Sequence, residues 1–404
     1  MAEAMRFLAR SREVSPVEPW RRIEATLATH GAWTSPERPQ RWHVLFARRE
    51  RPMLLPDGRY AIQRECLRHF LGDRRAAWVG RALLKANSLW PGAGLLPEVR
   101  LHDGEPRRDR GVTPGKPAYV AFQIGTPGPY QKASALYLSD DGEGLALSKT
   151  AMAPSADAMV RTEAGWLEAV AGIEPLAAQV PRLLGEGATA EGRRYLVASV
   201  APSTRTTFAF TPAHARFLGA LGRARLETGA FEDSPCARAL GEHLERLRDV
   251  LPPARRAALD EAVADCHLWL SDYVGPLVMS QGDFAPWNMR VHGPEVFVFD
   301  WEYSSDGANP LGDVLHYLLM PRAVGAGRIG PRRVGEALRR AQAYARQTYP
   351  EWRWRAHTVS ALALAYLLGV LLHYSLASGG FEPRHPVIAA YWRLIQQRSS
   401  WMAS

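Results

Sequence analysis

Between Ala118 and Ala153 the sequence reads AYVAFQI, KASALYLS and GLALSKTAMA, three short runs separated by GTPGPYQ and by the tight DDGEG turn. Short runs rich in apolar residues with turn residues between them predict strands paired as hairpins. A small sheet of this kind needs a cover. SADAMVRTEAGWLEAVAG, residues 155–172, supplies a helix with Ser155 or Asp157 as its cap, and RRYLVASVAP, residues 193–202, supplies another strand. From Thr211 to about Tyr273 the pattern turns helical, with breaks near residues 228–234 and at Pro252 and Pro253. The apolar strand VFVFD follows, then PLGDVLHYLL with Pro310 suited to a first helical turn, then RRVGEALRRAQAYARQTYP and PVIAAYWRLIQQRSSWMA. The fold class is therefore α+β, with a sheet-bearing part over 113–204 and a mostly helical part over 205–404.

Residues 1–112 read as an additional α/β unit in front of these two. WRRIEATLATHG at 20–31 predicts a helix closed by Gly, RWHVLFARR at 41–49 a strand, and residues 62–90 one or two helices. LHDGEPRRDRGVTPGKP at 101–117 is polar and rich in Gly, Pro and Arg, and marks the domain boundary.

The formal charge of +9, from 50 Lys and Arg against 41 Asp and Glu, favours an anionic partner such as a nucleotide or phosphate. The basic residues are scattered, with no long block of the sort that marks a nucleic-acid arm, so no nucleic acid is expected. Cys66, Cys236 and Cys266 form no CxxC pair, which fits a reducing compartment. The first residues lack an apolar run with a cleavage site, so a cytoplasmic location is expected. SALALAYLLGVLLHYSLA at 360–377 approaches the length of a membrane span. Its Tyr, Gly, His and Ser and its amphipathic neighbours favour a buried core helix, which leaves room for peripheral membrane association only.

The chemistry-bearing residues concentrate in QGDFAPWNMRV, residues 281–291, and in VFVFDWE, residues 296–302. Asp283, Asn288 and Asp300 are what a nucleotide-bound magnesium ion and an attacking hydroxyl require, because magnesium takes one or two protein oxygens and the rest from phosphate and water. An Asp in a loop is more often a cap or turn former than a base, so these three alone decide little. Upstream, Lys149 sits among small and apolar residues on a predicted strand, and Glu163 on the next helix is placed to pair with it and hold its ammonium toward phosphate oxygens. A surface salt bridge is the plain alternative. GTPGPYQ offers Gly125 and Gly128 and their backbone N–H groups as a phosphate-covering loop, without being a GxGxxG or a Walker motif.

Taken in order, strand, Gly loop, strand, strand with Lys, helix with Glu, helices, D-x4-N and an apolar strand ending in Asp, the chain resembles the protein-kinase-like fold. It resembles most the aminoglycoside and choline phosphotransferase branch. GDFAPWN is similar to that branch's catalytic loop, and FDWEYSSDGANPLGDVLHYL to its metal-binding strand end followed by a helix with a structural Asp. The resemblance covers residues 118–400 and implies a bilobal arrangement with a small antiparallel-sheet lobe and a helical lobe. It implies ATP and Mg2+ as cofactors, Asp283 as catalytic base, Asn288 and Asp300 as metal ligands, Lys149 on the α and β phosphates with Glu163 as partner, and Asp313 as a brace for the loop.

Where the family commonly has His before Gly-Asp, this chain has Gln281, which hydrogen-bonds but does not titrate. The implied activity is ATP-dependent phosphorylation of a hydroxyl on a small molecule or glycan. A neutral or anionic acceptor such as a saccharide suits the basic chain better than a polycationic aminoglycoside. A nucleotide-binding pseudokinase on the same fold is the competing reading. A protein kinase fits less well, for want of HRD, DFG and APE segments.

Overall fold

The computed structural model describes residues 41–45, 52–71, 75–89, 96, 98–100, 117–126, 128–189, 191–202 and 206–402. The helix expected at 20–31 and nearly all of the polar stretch at 101–117 lie outside these residues. The described chain forms two compact units, one of residues up to Ala171 together with Val180–Thr206, the other of Gly172–Gln179 with residues from Thr207 onward.

In the first unit, β1 (Arg41–Leu45), β2 (Met53–Pro56), α1 (Tyr60–Leu71), α2 (Arg75–Leu89) and β3 (Glu98–Arg100) precede β4 (Tyr119–Ile124), β5 (Lys132–Leu138), β6 (Gly144–Ala151), α3 (Pro154–Ala171), β7 (Leu183–Ala188) and β8 (Arg194–Ala198). The strands make one antiparallel sheet in the order β3-β1-β2-β4-β5-β6-β8-β7. Successive strand residues point to opposite faces, and the sequence divides accordingly. Val44, Leu54, Val120, Phe122, Ala135 and Tyr137 share one buried cluster with Trp42. Their neighbours Leu45, Leu55, Ala121, Leu136 and Leu138 share the other with Ile62, Cys66 and Leu67 of α1 and Leu83 and Leu84 of α2.

This corrects the expectation of a separate domain over 1–112. β2 pairs with β4 through Met53↔Gln123 and Leu54↔Phe122, and α1 and α2 bury a face of the same sheet. The Trp42 indole N–H, 2.8 Å from the Val120 carbonyl, ties the two segments again. The front strands are three outer strands of a single sheet, whose apolar face they and their helices complete. Gly172–Gln179, expected in the sheet-bearing part, belongs to the second unit.

The second unit contains α4 (Pro212–Ala224), β9 (Glu227–Ala230), α5 (Pro235–Leu247), α6 (Pro253–Leu270), β10 (Val274–Ser280), β11 (Met289–His292), β12 (Glu295–Val298), β13 (Ser305–Ala308), α7 (Gly312–Ala326), α8 (Pro331–Thr348), α9 (Ala356–Ala377), α10 (Pro386–Gln396) and α11 (Arg398–Met402). Proline opens α4, α5, α6, α8 and α10, where its missing N–H is no loss and its fixed φ suits the helix. Ser234 caps α5, its Oγ accepting the Ala237 N–H at 3.1 Å. β10 runs between β13 and β9 in a three-stranded sheet, and β11 and β12 form a hairpin.

Helix α9 is the center of this unit. It is long and apolar enough to cross a membrane, yet 72% of its most apolar window is buried. It packs against α5, α6, α7, α8, α10 and α11. Leu364, Leu367, Leu368, Leu371 and Leu372 are each at most 1% exposed, and burying such a side chain contributes about 2 kcal/mol. Packing inside the unit accounts for the apolarity of this helix. The three cysteines are free, with Cys66 and Cys266 buried, and burial pushes the Cys236 thiol up to about 11.

Candidate active site

In the first unit, Lys149 sits on β6 in register with Ser134 of β5 and Leu196 of β8, and its Nζ reaches both Glu163 carboxylate oxygens at 2.6 and 2.8 Å. The side chains are 13% and 4% exposed. Glu163 lies in the apolar stripe of α3 with Ala156, Val160, Ala164, Leu167 and Val170, where an ionised carboxylate is tolerated because it is paired. The helix is pinned at its first turn by Asp157, which accepts from the Arg194 backbone N–H at 2.7 Å and from the Arg193 guanidinium at 2.9 Å. That anchor fixes the rotation of α3, and with it the position of Glu163 six residues on.

The Gly loop is more self-contained than its sequence suggests. The Gly125 N–H is engaged by the Lys132 carbonyl at 2.8 Å, and the Gln131 side chain donates to the Gly125 carbonyl at 3.0 Å. A Cβ on Gly125 would lie 2.8 Å from the Lys132 carbonyl oxygen, so glycine there permits close strand approach. The expectation that Gly125 supplies a free N–H is corrected: hairpin closure uses it. Gly128, at φ 145, has open space where a side chain would project.

In the second unit, the loop between β10 and β11 is assembled on Asp313 in the first turn of α7. One Asp313 carboxylate oxygen accepts the Gln281 N–H at 2.8 Å and the other the Gly282 N–H at 3.0 Å. Burial pushes this carboxyl above the usual carboxylate range, while those N–H bonds and Ser280 pull the other way. Gln281, fully buried, accepts the Asp283 N–H on its side-chain oxygen at 3.0 Å and donates to the Phe299 and Asp300 carbonyls at 3.3 and 2.5 Å. Phe284 sinks into the core and stacks on Phe217 with ring centroids 6.0 Å apart.

Asp283 is held at both carboxylate oxygens. Asn288 Nδ2 donates to Oδ2 at 2.7 Å and to the Asp283 main-chain carbonyl at 3.0 Å, and His316 Nε2 lies 2.8 Å from Oδ1. The Asp283 side chain is 21% exposed and that of His316 5%. His316 follows Asp313 by three residues, so both face the loop from the same side of α7. The start of α7 is itself fixed, because Asn309 accepts the Leu311 N–H at 2.9 Å and donates to the Leu362 carbonyl of α9 at 2.7 Å.

Asp300 follows β12 at φ 71, unusual outside glycine among the described residues. Asp and Asn tolerate this left-handed region better than other side chains, and strain of this sort is held in place only by surrounding bonds. The Gln281 side chain supplies one such bond. The residues present fit magnesium: the Asn288 nitrogen is committed to Asp283, so its amide oxygen would be the ligand atom, and Asp300 would add one carboxylate. Two hard oxygen donors match a cation that keeps water and phosphate in its remaining positions.

The structure thus brings Lys149 to Glu163, and gathers Asp283, Asn288, Gln281 and Asp313 into one hydrogen-bonded assembly whose Gln281 also holds the backbone of Asp300. His316 is a member that sequence reading missed. Within PLGDVLHYLL it reads as one more residue of a core helix, and only its i+3 spacing from Asp313 hints at a shared face.

No protein-family model matches the chain, and no curated protein does. Solved structures do. The chain is similar to a thermostable mutant of aminoglycoside phosphotransferase APH(4)-Ia, at 16% identity over 70% of this chain and 94% of that one, TM-score 0.49. It is similar to choline kinase from Cryptosporidium parvum, at 12% identity over 71% and 91%, TM-score 0.47. A putative fructosamine-3-kinase from Thermobifida fusca is similar at 17% identity over 72% and 95%, TM-score 0.43.

Proposed function

We propose that this chain is an ATP-dependent phosphotransferase acting on a hydroxyl of a small molecule or glycan. The observation that carries the reading is the arrest of Asp283 by Asn288 and His316 on a loop braced by Asp313, with its carboxylate still partly exposed. An aspartate that only capped a turn would not need both oxygens fixed from two different elements.

In this reading Lys149, held by Glu163, takes the nucleotide phosphates. Asn288 and Asp300 hold Mg2+, which when bound neutralises charge on the transferring phosphoryl group. Asp283 orients the acceptor hydroxyl and receives its proton. Gln281 keeps the loop shape, since its amide is engaged in three bracing bonds; this supports a structural job in place of a titrating one and weighs against the pseudokinase reading.

The surroundings of the loop support a neutral acceptor. Two of the carboxylates that follow β12 are engaged elsewhere: Asp306 is tied to Arg225 at 2.9 Å and Asp313 is buried beneath the loop. Tyr303, whose backbone lies against Gly282, is 36% exposed and packs edge-on with His373 at 5.1 Å. Burial lowers His373 to about 4, so it is uncharged at neutral pH. An aromatic face beside a neutral imidazole suits a saccharide or polyol better than a polycation.

The test is an ATP-consumption screen of the purified chain against sugars, glycosides, amino alcohols, polyols and aminoglycosides, with phosphorus NMR of the product. Magnesium-dependent turnover lost in Asp283→Ala and Asp300→Ala, with the fold retained by circular dichroism, is expected. Undiminished turnover in both variants would sink the assignment.

A further inference from the structure

We infer that His316 is the positioning residue of Asp283: its Nε2–H clamps one carboxylate oxygen so that the base meets the acceptor hydroxyl in a single rotamer. The inference rests on the phosphotransferase reading and adds a residue to that site.

The hydrogen-bond inventory decides the direction of the bond. Nε2 lies 2.8 Å from Asp283 Oδ1, while Nδ1 is buried with no partner. A neutral ring with its proton on Nε2 donates to the carboxylate and leaves only an unused acceptor at Nδ1. The other tautomer sets a lone pair against a carboxylate and strands a buried donor at Nδ1. The ring is kept in place by burial and by edge contact with Tyr366, centroids 5.9 Å apart at 78°.

Two donors on one carboxylate are not redundant, because they stand on different elements. Asn288 belongs to the loop itself, in a 3-10 turn over Pro286–Asn288, and in the proposed site it also offers its oxygen to Mg2+. His316 belongs to α7, which is anchored to α9 through Asn309 and Leu362. The imidazole therefore references Asp283 to the helical core and not only to the loop that carries it. In transfer, the acceptor oxygen bonds to the γ phosphorus, the bond from that phosphorus to the bridging oxygen breaks with its electron pair leaving on ADP, and the hydroxyl proton goes to Asp283.

The experiment uses the full chain with His316→Gln, which keeps an amide N–H donor near Nε2, and His316→Leu, which keeps volume without a donor. His316→Leu is expected to lose about ten- to a hundredfold in kcat, with KM for ATP within about twofold, and His316→Gln to recover most of the loss. Unchanged kcat in His316→Leu, or a folded His316→Gln no better than His316→Leu, overturns the proposal. Nitrogen-15 NMR of the imidazoles supplies an arm independent of turnover. A neutral Nε2–H signature that changes in Asp283→Asn supports the clamp, and an Nδ1–H signature overturns it. If the wild-type chain consumes no ATP with any acceptor, the phosphotransferase reading fails by itself, and the NMR arm still decides whether His316 donates to Asp283.

Discussion

Gln281 and Asp300 are joined side chain to main chain, the Gln281 amide N–H meeting the Asp300 carbonyl at 2.5 Å. The bond links the loop that carries Asp283 to the strand end that carries Asp300, whose φ of 71 is held by such contacts. Gln281→Ala leaves the Asp283 N–H and two carbonyls without their partner in a buried site. A loss of about 2–4 kcal/mol is expected in urea unfolding. Gln281→Glu, with almost the same shape, sets an acceptor against two carbonyls and is expected to be no more stable than the alanine variant.

Gly282 sits at φ 85, and a Cβ there would lie 2.2 Å from the Tyr303 carbonyl oxygen. Backbone blocks the space and the torsion is left-handed, so Gly282→Ala is expected to cost at least about 3 kcal/mol and to displace Asp283 next to it. Gly293 in the β11–β12 turn, at φ 57, has open space around its Cβ position. Gly293→Ala should cost only about 1 kcal/mol, the torsional share. Thermal unfolding of the two variants side by side separates the steric contribution from the torsional one; equal losses would mean that the loop yields to the clash.

The contrast between these residues shows how much was legible beforehand. The hairpins of β4, β5 and β6, the helix α3 and the ion pair between them lie within about fifty residues, where alternation and turn chemistry speak directly. Asp283, Asn288 and Asp300 stood out as candidates by residue type and spacing, and only Lys149 and Glu163 upstream gave that spacing weight. The pairing of β2 with β4 did not, because partners almost seventy residues apart across a polar stretch leave no local period to read. β10 was missed for another reason: VGPLVMS is buried on both faces and contains Pro276, so it neither alternates nor looks like a strand interior. His316 was hidden because a histidine amid apolar helix residues looks the same in sequence whether its ring meets a carboxylate or merely fills the core.

Acid should destabilise the second unit through its buried histidines. His214 is fully buried; its Nδ1 accepts the Thr211 N–H at 3.0 Å, and burial lowers it to about 4. His373 is lowered to about 4 as well, and His243 and His385 in the same direction. A histidine whose folded pKa is depressed binds its proton first in the unfolded chain, so stability is full above about pH 6.5 and is lost as pH falls toward 4. His214 alone contributes on the order of 3 kcal/mol to this slope. Urea midpoints between pH 7 and pH 4.5 should fall steadily in the wild type and less steeply in His214→Asn, whose amide oxygen still accepts the Thr211 N–H. Parallel slopes in the two proteins would rule out His214 as the source.

The Lys149–Glu163 pair lets stability be separated from function. Lys149→Met leaves the Glu163 carboxylate buried at 3% exposure with its ammonium gone, and breaking a buried pair from one side costs about 3–5 kcal/mol. Lys149→Met combined with Glu163→Leu replaces both charges by apolar volume within the stripe of α3, next to Val160 and Leu167. Because desolvation of the pair offsets much of its attraction, the double variant is expected within about 1 kcal/mol of the wild type. If the ammonium exists to hold nucleotide phosphates, the restored stability brings no restored turnover: the double variant folds and consumes no ATP. Turnover returning together with stability would show that the pair serves the sheet and α3 alone, and would remove Lys149 from the proposed site.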